Sequence, residues 1–180
     1  MAQLDKTFPT NDCSMCILSP KFVECDRNPN IEIISYAEIK EVEGEAGNFD
    51  VTLIKKPRYV DEEKCLGCGF CAQYCPVGIF DSFNENLCKY KSIHIPYPQA
   101  VPSISVIDAE SCLYLKRKAC KICRYVCKQR AITLDSEAEE FKLKVGAIIL
   151  SPGYETFDPG LKSDYGYGKF GNVITSLEFE

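Results

Sequence analysis

The sequence reads as an α+β fold in which short strands flank a central stretch organised by cysteine. Three observations carry this reading. Twelve cysteines fall within 180 residues, most of them in closely spaced groups. Apolar residues at Phe49, Val51 and Leu53 alternate with Asp50 and Thr52, the two-residue period of a strand with one covered face. Residues 76–111 carry Pro76, Pro96, Pro98 and Pro102, which neither a long helix nor a central strand accommodates. With 46% apolar and 26% charged residues the chain can bury a core.

Charge and composition exclude several classes of function. Twenty-one basic against 26 acidic residues leave a net charge of −5, which argues against a surface built as a whole to bind nucleic acid. No apolar run reaches the eighteen or so residues of a membrane helix, and residues 1–10 lack the apolar stretch of a secretion signal. The expectation is a soluble, cytoplasmic chain, whose cysteines are thiolates for metal rather than disulfides. His94 is the single histidine, so a two-histidine zinc site cannot be built from this chain. No Gly-x-Ser-x-Gly elbow is present.

Along the first 57 residues, Tyr36–Val42 and Phe49–Ile54 predict a β-hairpin, with Gly44 and Gly47 at its turn. Cys13 and Cys16, with Cys25 further on, admit three readings: a redox dithiol, one edge of a further cluster, or plain buried thiols.

Cys65-x2-Cys68-x2-Cys71-x3-Cys75-Pro76 is the strongest signal in the chain. It is the bacterial ferredoxin run, in which three thiolates hold one four-iron cubane and the fourth reaches a different cluster. Gly67 and Gly69 let the loop bend closely around a compact body. Tetrahedral zinc would also accept four thiolates, but its hooks are usually separated by a loop. The second group, Cys112-x7-Cys120-x2-Cys123-x3-Cys127, keeps the last two spacings and stretches the first. Lys128 stands where the first group has Pro76. Exchange then assigns Cys65, Cys68, Cys71 and Cys127 to one cluster and Cys112, Cys120, Cys123 and Cys75 to the other.

Between the groups, the Pro-rich arm of 76–111 reads as an extended, rigid connector rather than a polyproline docking segment. Cys88, without a near neighbour, reads as a buried thiol. Lys116, Arg117, Lys118, Lys121, Arg124, Lys128 and Arg130 form a basic run with no acidic residue between Cys112 and Leu134. Such a field favours added electrons and predicts the higher potential for the cluster on this side. A docking patch for an acidic partner, a solvated face and a nucleic-acid site are the other readings. Ala131–Leu134 and Phe141–Leu143 predict short strands about an acidic turn. The apolar run Val145–Leu150, ending at Ser151-Pro152-Gly153, predicts a strand covered on both faces, as in a parallel sheet. Gly67-x-Gly69-x-x-Ala72 and Gly166-x-Gly168-x-x-Gly171 match the letters of a dinucleotide fingerprint. Neither follows a hydrophobic strand, which that turn requires.

Taken with the passages at 1–16 (MAQLDKTFPTNDCSMC), 56–65 (KPRYVDEEKC), 95–102 (IPYPQAVP) and 174–180 (ITSLEFE), the chain resembles the iron–sulfur A-subunit family of the CoB–CoM heterodisulfide reductases and the related subunits of flavin-based electron-bifurcating complexes. The resemblance implies a dicluster ferredoxin-like module inserted between partial segments of a thioredoxin-reductase-like α/β FAD domain. Residues 1–57 and 144–180 would be the flavin-domain flanks, and 58–143 the two-cluster module. It implies two [4Fe-4S] clusters and FAD as cofactors, with Gln3, Lys6, Ser151, Pro152 and Gly153 near the flavin. Ser151 and Pro152 replace the family's usual Ala-Thr there. Other subunits of the reductase complex, hydrogenase or formate dehydrogenase subunits and ferredoxin are the implied partners. The chain resembles an internal section of that family, starting after the glycine-rich FAD turn, so flavin binding by this chain alone is expected to be weak. A free-standing dicluster ferredoxin, a diffusing carrier, is the alternative.

Overall fold

The computed structural model describes residues 4, 6–7, 10–153 and 155–179. In chain order the elements are α1 (Ser14–Arg27), β1 (Ala37–Glu45), β2 (Asn48–Lys55), α2 (Phe70–Gln73), β3 (Gly78–Phe80), β4 (Lys89–Lys91), β5 (Ile93–His94) and β6 (Val106–Ile107). There follow α3 (Leu113–Arg117), α4 (Ile122–Val126), β7 (Glu139–Val145) and α5 (Ser176–Phe179). Among the described residues no helix is long and apolar enough to cross a membrane.

The predicted hairpin is present. β1 and β2 pair antiparallel from Ala37↔Lys55 to Glu45↔Asn48, and the turn falls on Ala46–Gly47. Gly44 lies within β1, paired with Phe49, rather than in the turn. Val51 and Thr52, on opposite faces of β2, are both buried, whereas eight of the nine β1 residues are exposed, which leaves β1 as the sheet's solvated edge. β7 completes the sheet in the order β1-β2-β7, antiparallel, from Phe49↔Val145 to Lys55↔Glu139. The chain therefore leaves the sheet at Lys55 and returns beside the same residue at Glu139. Everything between is a closed excursion whose two ends are neighbours.

Several expectations are corrected. Phe141–Leu143 is the middle of a seven-residue strand, while Ala131–Leu134 contributes only the isolated bridge Val60↔Ile132. Ala131, Ile132 and Leu134 are buried in the core of the excursion, so their apolar character serves packing rather than a ladder. The Val145–Leu150 run is not a doubly covered strand: only Val145 belongs to β7, and Ile149 and Leu150 are 92% and 77% exposed. Among the described residues no strand or helix lies over them. The segment 76–111 is more than a connector, since it forms two small sheets, β3-β4 and β5-β6. Its prolines 96, 98 and 102 sit in the turn between β5 and β6, where missing N–H groups cost no ladder bonds.

The excursion has its own core: Val60, Cys71, Ile93, Ile104, Ile107, Tyr114, Ala131, Ile132 and Leu134. Backbone bonds knit its two ends together, with Asp61 N–H donating to Ala131 O at 2.7 Å and Thr133 N–H to Tyr59 O at 3.0 Å. Arg58 anchors the outgoing segment: its guanidinium donates to Glu62 Oε1 at 3.1 Å and Ser35 Oγ at 2.7 Å and lies 5.1 Å from the Tyr36 ring centroid.

Candidate metal centre

Six of the eight thiols in the two long cysteine groups touch the core just described. Cys71 is part of it, and Cys65, Cys75, Cys112, Cys123 and Cys127 pack against it. Short helices place them: Cys71 lies on α2 and Cys123 on α4, and these two helices pack on one another. The first N–H groups of a helix have no partner within it, and in helices this short they are a large share of the whole. The loop before α2 depends on its glycines. Gly67 sits at φ +63°, and a Cβ there would come within 2.4 Å of Ser103 O; Gly69, at φ +70°, is the residue from which α2 starts.

A cavity of about 320 Å³ is lined by Cys65, Cys68, Cys71 and Cys127, floored by Val60, Ala131 and Ile132. Its thiols are three from the first group and the last of the second. Cys75, the fourth of the first group, does not line it. Cys71 is close enough to Cys65 and Cys127 for their charges to raise its pKa, although burial is the larger cause; the Ser105 hydroxyl, 3.6 Å from its sulfur, and the Ala72 N–H pull the other way. Ala131 N–H donates to Cys127 Sγ at 3.4 Å.

On the other side, Cys123 is pushed up to about 12, first by burial and then by Cys112, with the Arg124 N–H opposing and Cys120 adding a smaller push. Cys123 thus has Cys112, Cys71 and Cys120 as thiol neighbours, in falling order of effect. Cys75 packs against the same core, its thiol donating to Val77 O at 3.7 Å. Burial that disfavours a bare thiolate is the environment in which thiolates gain by sharing charge with a cation. Soft sulfur donors around a largely apolar hollow, with the Ala131 and Ala72 N–H groups bonded to Cys127 and Cys71 sulfurs, fit an iron–sulfur cluster.

The remaining sequence candidates are spread out. Cys13 and Cys16 form a disulfide at the start of α1, where Cys13 Sγ also accepts the Cys16 N–H at 3.0 Å. Cys25 is a half-buried free thiol on the same helix. Sequence reasoning did not anticipate α1, which contains Pro20 and keeps Met15, Leu18, Phe22 and Cys25 half-buried at helical spacing, with Ile17 and Val23 exposed beside them. Cys88 is exposed, correcting the expectation of a buried thiol: it accepts from Asn84 Nδ2 at 3.5 Å and faces Asp81 Oδ2 in a polar loop. Gln3 lies outside the described residues. Lys6 is exposed, and Ser151, Pro152 and Gly153 are exposed and without regular structure. The Gly166 pattern follows a 3-10 turn, Ser163–Tyr165, not a strand, so the geometry of a dinucleotide turn is missing there.

Residues 58–81 match the family described as 4Fe-4S binding domain. These residues contain the first cysteine group and stop short of the second. The whole chain also aligns with the A-subunits of heterodisulfide reductases. It is 51% identical over 180 residues to that of the H(2):CoB-CoM heterodisulfide,ferredoxin reductase of Methanothermobacter marburgensis. It is also 51% identical to the iron-sulfur A-subunit of the CoB–CoM heterodisulfide reductase of Methanocaldococcus jannaschii, and 39% identical over 181 residues to the A-subunit of the ferredoxin:CoB-CoM heterodisulfide reductase of Methanosarcina mazei. The chain is homologous, from end to end, to a segment of the heterodisulfide reductase A-subunit. All of it is covered in each comparison, and it spans 27%, 27% and 22% of the three relatives.

Proposed function

We propose that this chain is the iron–sulfur electron-transfer segment of an oxidoreductase of the heterodisulfide reductase A-subunit type. Cys65, Cys68, Cys71 and Cys127 hold one [4Fe-4S] cluster, and Cys112, Cys120, Cys123 and Cys75 hold a second. The observation that carries the reading is the hollow lined by three thiols of the first group and the last thiol of the second. A cubane bound there supplies a one-electron couple. The chain's own part is to position and insulate. Val60, Ala131 and Ile132 keep water from the sulfurs, and the Ala131 N–H stabilises negative charge on Cys127.

The paired ends at Lys55 and Glu139 support a module inserted in a host domain, entered near residue 58 and left at the β7 strand within the 58–143 stretch. The flanks then belong to a flavin domain, and FAD, approached by Gln3, Lys6 and Ser151–Gly153, is the two-electron partner of the clusters. Other components of a heterodisulfide reductase complex, hydrogenase or formate dehydrogenase subunits and ferredoxin are the proposed electron donors and acceptors, in keeping with the relatives' names.

Iron and acid-labile sulfide analysis of anaerobically reconstituted protein, with electron paramagnetic resonance after reduction, tests the reading. About eight irons per chain and the broadened signal of two neighbouring reduced cubanes are expected. A colourless product, or stoichiometric zinc, would overturn it.

A further inference from the structure

Among the described residues, the cations around the second cysteine group form no ion pair. Every ion pair among the described residues lies elsewhere: Lys40–Glu140, Lys55–Glu62, Lys56–Glu38, Arg58–Glu62, Lys64–Asp61 and Lys144–Asp50. Although the chain has 26 acidic residues, none of the seven cations between Cys112 and Leu134 is ion-paired among the described residues, and six of the seven are exposed. The fold also crowds them. Lys118 Nζ and Lys121 Nζ sit 4.7 and 5.0 Å from the centroid of the same Tyr114 ring, which is itself in the core beside the thiols. Like charges held together without counter-charge repel one another, and an acidic surface brought against them relieves that repulsion and is steered towards them. On the adjoining α4, Tyr125 is 82% and Ile122 40% exposed, an apolar spot beside Arg124 of the kind found at the centre of protein interfaces.

We infer that the α3–α4 face is a docking surface for a partner protein that presents an acidic rim around a one-electron centre, a flavin or iron–sulfur carrier. Resting on the proposed cluster held by Cys112, Cys120, Cys123 and Cys75, this names where the wire meets its partner. The chosen occupant is protein because a central apolar spot ringed by charge fits a protein interface. A single-stranded nucleic acid would need successive stacking aromatics, and here Tyr125 stands on α4 while Tyr114 is buried.

The test uses the reconstituted chain with two probes of opposite charge, acidic flavodoxin and basic cytochrome c, at roughly 20 and 300 mM salt. Calorimetry should show flavodoxin binding that weakens at least tenfold at the higher salt and is lost on Lys116→Glu, Arg117→Glu and Arg124→Glu combined. In stopped flow the triple substitution should slow electron transfer to flavodoxin about tenfold or more and accelerate transfer to cytochrome c. A mere shift of cluster potential would move both rates in one direction and would overturn the inference. So would absence of flavodoxin binding at low salt whatever the iron content, salt-dependent self-association in place of binding, or tighter binding of a 20-nucleotide single strand. Binding without any bound iron would sink the cluster reading and leave the docking surface standing.

Discussion

Replacing Cys75 with alanine removes a thiol that sits in the first cysteine group by sequence and, on the exchanged assignment, in the second cluster by space. Pairing this substitution with a second one makes the iron count diagnostic. If Cys75 shares a cluster with Cys112, Cys75→Ala with Cys112→Ala empties one site and spares the other, whereas Cys75→Ala with Cys65→Ala damages both. If ligation instead follows sequence order, the two outcomes trade places. A four-ligand structural zinc site contributes roughly 10–16 kcal/mol, and on that scale each thiolate lost from a cluster costs about 3 kcal/mol. Lost packing of the half-buried sulfur against the core adds up to about 1 kcal/mol. Two such losses at one site remove about half of its binding energy. The same two losses spread over both sites leave neither fully ligated, against a total domain stability of about 5–15 kcal/mol. The assay is iron per chain after anaerobic reconstitution and desalting. The expected result is about four irons for the 75/112 pair and close to none for the 75/65 pair. Four irons retained by the 75/65 pair, with none in the 75/112 pair, would refute the exchange.

Three further outcomes follow from the geometry. Gly67→Ala meets both a left-handed backbone and Ser103 O at 2.4 Å; it should cost about 2–3 kcal/mol and reduce cluster loading. Gly69→Ala, with nothing within 4 Å of its Cβ, should cost only about 1 kcal/mol, and urea midpoints that rank the two the other way would contradict the close-approach argument. Glu62→Ala strands the Arg58 guanidinium, whose side chain is 6% exposed; with Glu62 itself partly solvated the loss should be about 2 kcal/mol. Arg58→Met, which removes the charge along with the pair, should cost less, and equal losses would mean the buried charge is not what matters. Burial holds the His94 pKa below its ordinary 6.5, with the hydrogen bond to Lys91 O opposing. The unfolded chain therefore takes up a proton first, so this contribution is intact above about pH 6.5 and lost as pH falls from there through the lower native value. Comparing wild type with His94→Gln at pH 7.5 and 5.5 isolates it, because the chain has a single histidine; an equal loss in both would remove His94 as the cause.

The sequence by itself determined the chemistry. Cysteine spacing in the first group is a local code, since three thiolates within seven residues must turn about one small body, and the same code matched residues 58–81 to a 4Fe-4S family. The hairpin was legible for the same reason, being a period-two pattern broken by turn residues. What only the tertiary structure decided is long-range. The grouping of Cys127 with Cys65, Cys68 and Cys71 was an expectation from the motif's ligand exchange, but the hollow that gathers the four depends on how α2 meets α4, some fifty residues apart. Val145–Leu150 misled because an apolar run records only that the residues avoid water, not what covers them, and Ile149 and Leu150 stand exposed. Ala131–Leu134 misled in the opposite sense, its apolar side chains filling a core without joining a ladder. The return of the chain to Lys55 at Glu139 was likewise invisible, because strand pairing is set by partners distant in sequence.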